Sequence, residues 1–223
     1  MKNKLAWLQV ALVIVPFIAL IVFWNQIPER VPVHWNIRGE IDRWASKAPG
    51  MLLLPLVGLG TVALCHIVSW LDPKLRQNLE KTDRMNTVLE ILGLTFAGFF
   101  DAIFAIQFTV ALGYKIAAER VILSCVLLFP AILGNYLPNL RPNYFVGIRT
   151  PWTLENAETW RATHRLGGKL MFFGSLLLLV LEFFVGRSVF GPLFLTFIAV
   201  LVVWSFIYSW YHFRNHVATR QSV

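Results

Sequence analysis

Long apolar runs alternate with shorter polar segments along the whole chain. Each run holds roughly 16 to 25 residues, close to the length that an α-helix needs to cross the hydrocarbon of a bilayer. Because a backbone in lipid must satisfy its own hydrogen bonds, these runs predict helices rather than open strands. The pattern therefore predicts an all-α, polytopic membrane protein with six transmembrane helices. The runs are Leu5 to Trp24, Met51 to Trp70, Ile91 to Gly113, Val121 to Leu137, Leu170 to Val185 and Val189 to Phe213.

The composition agrees with this interpretation. Hydrophobic residues make up 57% of the chain, charged residues only 14%, and the mean hydropathy is +0.62. Such values are typical of membrane proteins. The net charge of +8 does not indicate direct nucleic-acid binding, because no basic cluster with interleaved aromatic residues stands clear of the apolar runs. We therefore expect the protein to lie mainly within the lipid bilayer.

The positions of Lys and Arg predict the orientation of the spans. Positive residues close to span ends are retained in the cytoplasm. With the N-terminus inside, thirteen of the 20 Lys and Arg residues lie on the cytoplasmic side. We therefore expect both termini in the cytoplasm of a bacterial cell and the first loop outside. The remaining basic residues are Arg30, Arg38, Arg43, Lys47, Lys115, Arg120 and Arg187.

Two connections, residues 25–50 and 138–169, are too long and too patterned to be simple links. In the first, Pro28 and Pro32 favour extended geometry, so the segment 31–35 predicts a short extended piece, followed by a turn over 36–42. In the second, Thr150 or Thr153 can cap a helix with Pro151 in its first turn. Apolar residues at helical spacing then predict a short amphipathic helix between the fourth and fifth spans, lying in the membrane interface and leading into the fifth span.

A few polar residues are candidates for chemistry. Asp101 lies in the middle of the third run, where an acid is either functional or hydrogen-bonded to a polar group on another span. His34 and Asp42 could begin a metal site, but two ligands without a third make a weak one, and hydrogen bonding or peptide contact is preferred. Motifs of hydrolases, nucleotide-binding proteins and thiol oxidoreductases are absent, so we expect neither an enzyme nor a cofactor.

One motif resembles a known family. The run Asn143-Tyr144-Phe145-Val146-Gly147-Ile148-Arg149-Thr150-Pro151-Trp152-Thr153-Leu154, with Trp160 and Arg165 after it, resembles the SdpI family of bacterial toxin-immunity membrane proteins. The first loop, with Ile27-Pro28, Val31-Pro32-Val33-His34-Trp35, Gly39, Asp42 and Lys47, resembles the N-terminal domain of unknown function that accompanies this family.

The resemblance implies immunity against a secreted, sporulation-delaying peptide toxin. It also implies a receptor that holds a cytoplasmic autorepressor at the membrane when toxin is present. The candidate toxin-binding residues are Pro32, His34, Trp35, Asn36, Gly39, Asp42 and Lys47. The candidate repressor-docking residues are Arg149, Thr150, Pro151, Trp152, Thr153 and Trp160.

Two further expectations concern organisation and mechanism. We expect an N-terminal two-helix domain over residues 1–71 and a C-terminal four-helix domain over 72–223. The alternative function is a small proton-coupled peptide transporter or exporter in which Asp101 relays protons. No internal repeat supports it, although prolines 16, 55, 130 and 192 could break spans.

Overall fold

The computed structural model describes residues 2–36, 40–76 and 82–216. Six helices in this part of the chain are long and apolar enough to cross a membrane, which confirms the all-α fold with six spans. They are α1 (Lys2–Phe23), α2 (Lys47–Leu71), α4 (Thr82–Ala111), α5 (Ala118–Tyr136), α7 (Ala157–Leu181) and α8 (Arg187–His216). The short helices α3 (Pro73–Arg76) and α6 (Pro151–Glu155) lie in the connections.

Two spanning helices begin well before their apolar runs. Helix α4 begins at Thr82 and helix α7 at Ala157, whereas the runs begin at Ile91 and Leu170. Hydropathy marks only the part of a helix that suits lipid. Polar first turns can continue the same helix beyond the hydrocarbon, where water and headgroups solvate them.

The surface helix predicted between the fourth and fifth spans is only five residues long, because it ends at Glu155. Asn156 then has extended backbone angles, φ −130° and ψ 125°, and its side chain caps a new helix, α7. The surface helix therefore stops before the fifth span. Residues 157–165 form the first turns of the fifth spanning helix instead.

A β-hairpin fills the first loop. Strand β1 (Arg30–Trp35) agrees with the predicted extended piece, and it pairs antiparallel with β2 (Ile41–Ser46). The register is irregular between Pro32 and His34 and again between His34 and Trp35. Strand β2 was not predicted from the sequence, because its segment Ile-Asp-Arg-Trp-Ala-Ser has a weak alternation of apolar and polar residues.

Packing divides the chain into two units, and each unit contains two segments. The first unit is Met1–His66 with Glu90–Phe129, and the second is Ile67–Leu89 with Pro130–Val223. This differs from the expected division at residue 71, because residues 90–129 pack with the N-terminal segment. Parts of α4 and α5 belong to the first unit because they pack against it, although they follow residue 71 in the sequence.

The core of the first unit lies beneath the hairpin. Buried residues from α1, β1, α2 and α4 form one cluster, with aromatic and aliphatic side chains packed around it. The hairpin is therefore part of the folded unit rather than a free loop. The buried members are Leu20, Ile27, Val31, Met51, Phe104 and Ala111.

The second unit contains a close backbone contact between α5 and α7. A Cβ atom on Gly134 would lie 2.7 Å from the carbonyl oxygen of Gly168. Small residues that let two helix backbones approach are a common packing device in membrane proteins. This contact holds the start of the fifth span against the end of the fourth, on either side of the motif-bearing connection.

Candidate functional site

The β-hairpin is attached to its unit through one buried amide. Gln107 of α4 is 2% exposed, and its Nε2 donates to the carbonyl oxygens of Pro32 at 2.9 Å and Gly50 at 3.0 Å. Both hydrogens of the amide are therefore used, one for the hairpin and one for the start of α2. A buried carbonyl without a donor is costly, so this side chain fixes the position of β1.

A cation lies beside the hairpin at the start of α2. Lys47 is only 9% exposed, and its ammonium group lies 4.7 Å from the centroid of the Trp24 ring. Its backbone N–H donates to the carbonyl oxygen of Glu29 at 2.9 Å. The cation and the ring attract each other more strongly when water is excluded. Lys47 therefore closes the base of the hairpin.

The outer part of the hairpin presents a polar pair. Nδ1 of His34 lies 2.5 Å from a carboxylate oxygen of Asp42, and the two side chains are 52% and 42% exposed. The hydrogen bond from His34 lowers the pKa of Asp42 below its ordinary value. Asn36 and Glu40 are also bonded, through both side chains and backbone. Polar groups at this end therefore pair with one another and remain accessible.

The connection between α5 and α7 has no regular structure over residues 141–150. We call residues 140–156 the motif loop. Asn143 is fully buried, and its side-chain oxygen Oδ1 accepts from the backbone N–H groups of Phe145 and Val146, at 2.9 and 2.7 Å. Its amide nitrogen donates to the carbonyl oxygens of Arg141 and Val146. One side chain thus replaces the hydrogen bonds that a helix or sheet would supply.

Asp72 ties this loop to the corner between α2 and α3. The buried carboxylate accepts from the N–H of Tyr144 at 2.6 Å, and it also caps α3 by accepting from the N–H groups of Lys74 and Leu75. Lys74 then donates to the carbonyl oxygen of Leu154 at 2.9 Å and lies over the Tyr144 ring at 4.4 Å. Asp72 was not predicted from the sequence, although Asp followed by Pro is a typical start of a helix.

A stacked ring pair supports the middle of the motif loop. Trp160 and His164 are both 0% exposed, and their rings stack with centroids 4.0 Å apart. Trp160 Nε1 donates to the carbonyl oxygen of Leu140 at 2.9 Å. Gly147 has φ +117°, and a Cβ there would meet the ring nitrogen Nε2 of His164. Glycine is therefore required at this position for both conformation and space.

The imidazole of His164 is held in one tautomer. Nε2 accepts from the N–H of Ile148 at 3.0 Å, and Nδ1 lies 2.8 Å from the carbonyl oxygen of Trp160. The first contact requires a lone pair on Nε2, and the second requires a proton on Nδ1. Both nitrogens of a neutral ring are therefore used, which makes His164 a structural residue of the motif loop.

Hydroxyl groups complete the loop at α6. Thr150 and Thr153 form a capping box, in which each side chain bonds the backbone N–H of the other. The Thr150 hydroxyl also donates to the hydroxyl of Ser209 on α8 at 2.9 Å. Asn156 caps α7 by accepting from the N–H groups of Glu158 and Thr159. These bonds fix α6 against the two helices that follow it.

The motif loop and the hairpin both lie in recognised family domains. Residues 139–209 match the model described as the SdpI/YfhL protein family, and residues 11–59 match the domain of unknown function DUF1648. The chain is 22% identical over 210 residues to the Immunity protein SdpI of Bacillus subtilis strain 168, and the alignment covers 93% of this chain and 95% of the relative. No solved structure matches.

Not all the residues predicted to dock a repressor are exposed. Thr150, Thr153 and Trp160 are at most 2% exposed, so their side chains support the loop from within. The loop's exposed residues are Tyr144, Phe145, Arg149, Pro151 and Glu155, with Trp152 partly exposed.

The residues predicted to bind a toxin also fall into two groups. Pro32 and Lys47 are buried and attach the hairpin, whereas His34 and Asp42 are exposed and Trp35 and Asn36 are partly exposed. Gly39 lies outside the described residues. Trp44 of β2 is 46% exposed and was not predicted, because the weak alternation in its segment did not indicate a second strand.

Asp101 remains an unusual residue within its unit. It lies in the interior of α4 and is partly exposed, and no hydrogen bond or ion pair to it occurs among residues 2–36, 40–76 and 82–216. Gln107, farther along the same helix, is bonded to the hairpin. No group of three or more potential metal ligands occurs among the described residues either.

Proposed function

We propose that this protein is a membrane immunity protein against a secreted peptide toxin of the sporulation-delaying type. The observation that carries the proposal is the similarity to an immunity protein over 93% of the chain, which includes both candidate loops. The six spans supply the membrane location that such a role needs. The proposal concerns the class of ligand, a secreted peptide toxin, and names no individual toxin.

The hairpin is the proposed contact for the toxin. In the predicted orientation it faces outside the cell, where a secreted peptide arrives. Its exposed residues offer a charged and polar pair, His34 with Asp42, beside the half-exposed ring of Trp44. Aromatic and charged side chains on a rigid support are typical of binding surfaces, since little conformational freedom is lost on binding.

The motif loop is the proposed docking site for a cytoplasmic autorepressor. Its exposed surface combines the Tyr144 and Phe145 rings with the Arg149 guanidinium, which donates to the Tyr144 carbonyl oxygen at 2.8 Å. The buried network behind this surface keeps it in one shape. Toxin and repressor would each favour the same arrangement of the helices, so that each increases the affinity for the other.

Toxin challenge tests the immunity proposal. A sensitive host that lacks its own immunity gene should survive the peptide when it expresses this protein, and a His34→Ala, Trp44→Ala variant should survive less well. Arg120→Gln is the control, because Arg120 is an exposed charge at the start of α5. If the host remains fully sensitive although the wild-type protein reaches the membrane, the immunity role is rejected.

Recruitment of a repressor tests the second half of the proposal. Membranes that contain Arg149→Ala or Trp152→Ala should bind less repressor than wild-type membranes in the presence of toxin. Glu155→Gln serves as the control on the same exposed surface. Recruitment at the wild-type level with normal expression would exclude the motif loop as the docking site.

Asp101 favours a second candidate function, proton-coupled transport of the peptide. An acid within a span is costly unless it is paired or protonated, and the described residues contain no polar partner for it. Proton-dependent peptide uptake into vesicles, lost in Asp101→Asn, would support transport. Full protection by Asp101→Asn without any uptake would leave immunity as the function.

A further inference from the structure

A cleft opens between α7 and α8 in the second unit. Its volume is about 590 Å³. Residues on α7 form one wall, and Tyr208 and His212 on α8 form the other. The residues that line the α7 wall are Glu158, Arg161, Ala162, Arg165, Leu166 and Lys169.

Three of the side chains that line the cleft are positive and evenly spaced. Arg161, Arg165 and Lys169 follow one another at intervals of four residues, so they share one face of α7 and extend over about 12 Å along its axis. All three are exposed. Arg161 uses only Nε within its helix, donating to the Ala157 carbonyl oxygen.

Two of these cations have no protein partner in the described part of the chain. No hydrogen bond or ion pair involves the side chain of Arg165 or Lys169 among the described residues. Glu158 lies at one end of the row and offsets part of the charge. The excess of positive charge therefore lies around Arg165 and Lys169, at the end of the row opposite Glu158.

The position of the cleft corresponds to the headgroup region of a bilayer. Lys169 is the last charged residue before the uncharged segment 170–181 of α7. On the facing helix, residues 188–207 are also uncharged, and Tyr208 and His212 follow them. A Cβ on Gly167 would lie 3.3 Å from the Trp204 ring, so Lys169 is level with the uncharged part of α8, and the polar end of the cleft lies at Tyr208 and His212. Trp210 and Tyr211 on the same part of α8 are exposed, as expected at an interface.

The facing wall makes contacts outside the row of cations. His212 Nδ1 lies 3.2 Å from the hydroxyl of Thr159 on α7, and the Tyr208 ring stacks on Trp204 with centroids 5.0 Å apart. The spacing between the two helices is therefore set by contacts outside the row of cations. A cleft whose shape is set by its own walls is a preformed binding site, so little conformational freedom is lost when a ligand binds.

We propose that this cleft binds the headgroup of an anionic phospholipid. Its phosphate would lie among Arg165 and Lys169, with Arg161 next along the row, and its acyl chains would follow the apolar surface of α7 and α8. Basic pockets between spanning helices bind anionic headgroups in this manner. An acidic protein segment would meet the same charges, but the direct continuation of the cleft into an apolar helix surface suits a lipid better.

Native mass spectrometry of the full-length protein in detergent tests the proposal. The probes are phosphatidylglycerol and phosphatidylcholine with identical acyl chains. Wild-type protein should retain phosphatidylglycerol preferentially. Each of Arg165→Gln and Lys169→Gln should weaken that binding about fivefold, and the double variant about 25-fold, from the usual contribution of a basic residue near a lipid surface.

A matched control separates the cleft from general surface charge. Arg214→Gln with Arg120→Gln removes two exposed cations that do not line the cleft. This variant should bind phosphatidylglycerol as the wild type does, and Arg165→Lys should retain most of the binding. A monodisperse profile in size-exclusion chromatography shows that each variant is folded.

Three outcomes would overturn the proposal. Equal retention of both lipids by the wild type would mean that the cleft does not recognise charge. An equal loss in the control and the cleft variants would mean that the protein's overall charge attracts the lipid. Complete displacement of the lipid by millimolar inorganic phosphate would identify a site for a free anion instead. None of these outcomes depends on the proposed immunity function.

Discussion

The hairpin and the motif loop satisfy their backbones in opposite ways. In the hairpin, two paired strands use each other's N–H and C=O groups, so its polar side chains His34 and Asp42 are free to face outwards. The motif loop has no strand or helix over residues 141–150, and the side chains of Asn143 and Asp72 supply the missing bonds from within. Polar residues are therefore a surface in one region and a scaffold in the other.

This difference changes how the two sets of candidate residues should be interpreted. A long polar motif in sequence suggests a binding surface, yet the side chains of Asn143, Thr150 and Thr153 in the motif loop are buried. Substitutions there should first lower the free energy of unfolding. Substitutions at the outer end of the hairpin should leave folding nearly unchanged and act on binding. Substitutions in each region therefore test this difference separately.

The largest effect is expected at Trp160. Replacing it with Ala removes a fully buried ring, its stacking on His164 and its bond to Leu140. We expect Trp160→Ala to lower the free energy of unfolding by about 3 to 5 kcal/mol, as for other buried aromatic residues. Thermal unfolding of the purified protein measures this as a lower Tm. Trp210→Ala, at 43% exposure, is the control. Equal Tm changes in the two variants would contradict a scaffold role for Trp160.

A smaller loss is expected where the hairpin meets α4. Gln107→Leu keeps an apolar side chain of similar length but leaves the carbonyl groups of Pro32 and Gly50 without their donor. We expect a cost of about 1 to 3 kcal/mol. Hydrogen exchange should become faster in residues 30–46 and stay unchanged in the motif loop.

Thr109→Val on the same helix is the control for Gln107. The Thr109 hydroxyl donates only within α4, to the carbonyl oxygen of Ala105 at 2.7 Å. Its loss should therefore leave exchange in the hairpin unchanged. If Gln107→Leu did not speed exchange beyond this control, the strand pairing alone would hold the hairpin in place.

The hydroxyl of Thr150 should have a moderate effect. Thr150→Val keeps the shape of the side chain but removes the cap of α6 and the bond to Ser209. We expect a loss of about 1 kcal/mol, the usual value for a helix cap. Thr95→Val is the control, because that hydroxyl donates only to the Ile91 carbonyl oxygen of its own helix. No difference in Tm between the two variants would show that the cap is not part of the scaffold.

The sequence predicted the spans well and the sites only in part. Apolar length is set by the bilayer, so a run such as Val189 to Phe213 is sufficient to predict α8. The depth of a polar side chain is set by tertiary contacts instead. Trp160 and Arg161 are adjacent in sequence, yet one is buried and the other exposed. Partners distant in sequence, such as Gln107 with Pro32 or Asp72 with Tyr144, leave no local pattern.

The smallest effect is expected at the pair His34 and Asp42. The hydrogen bond from His34 is the largest cause of the lowered pKa of Asp42, and the nearby charge of Arg43 is the smallest. His34→Gln should therefore raise the pKa of Asp42 towards its ordinary value, and Arg43→Gln should raise it less. A titration followed by the ¹³C chemical shift of the Asp42 carboxyl group measures both changes.

The sign of the pH dependence follows from the direction of that shift. Because the pKa of Asp42 is lower in the folded protein, its contribution to stability is complete above the ordinary carboxyl pKa and is lost as pH falls through the lowered value. His34→Gln should thus destabilise the hairpin slightly at neutral pH and not at all in strong acid. Both groups are exposed, so the effect on Tm should be small. A large change in Tm would mean that this pair is part of a scaffold, as in the motif loop.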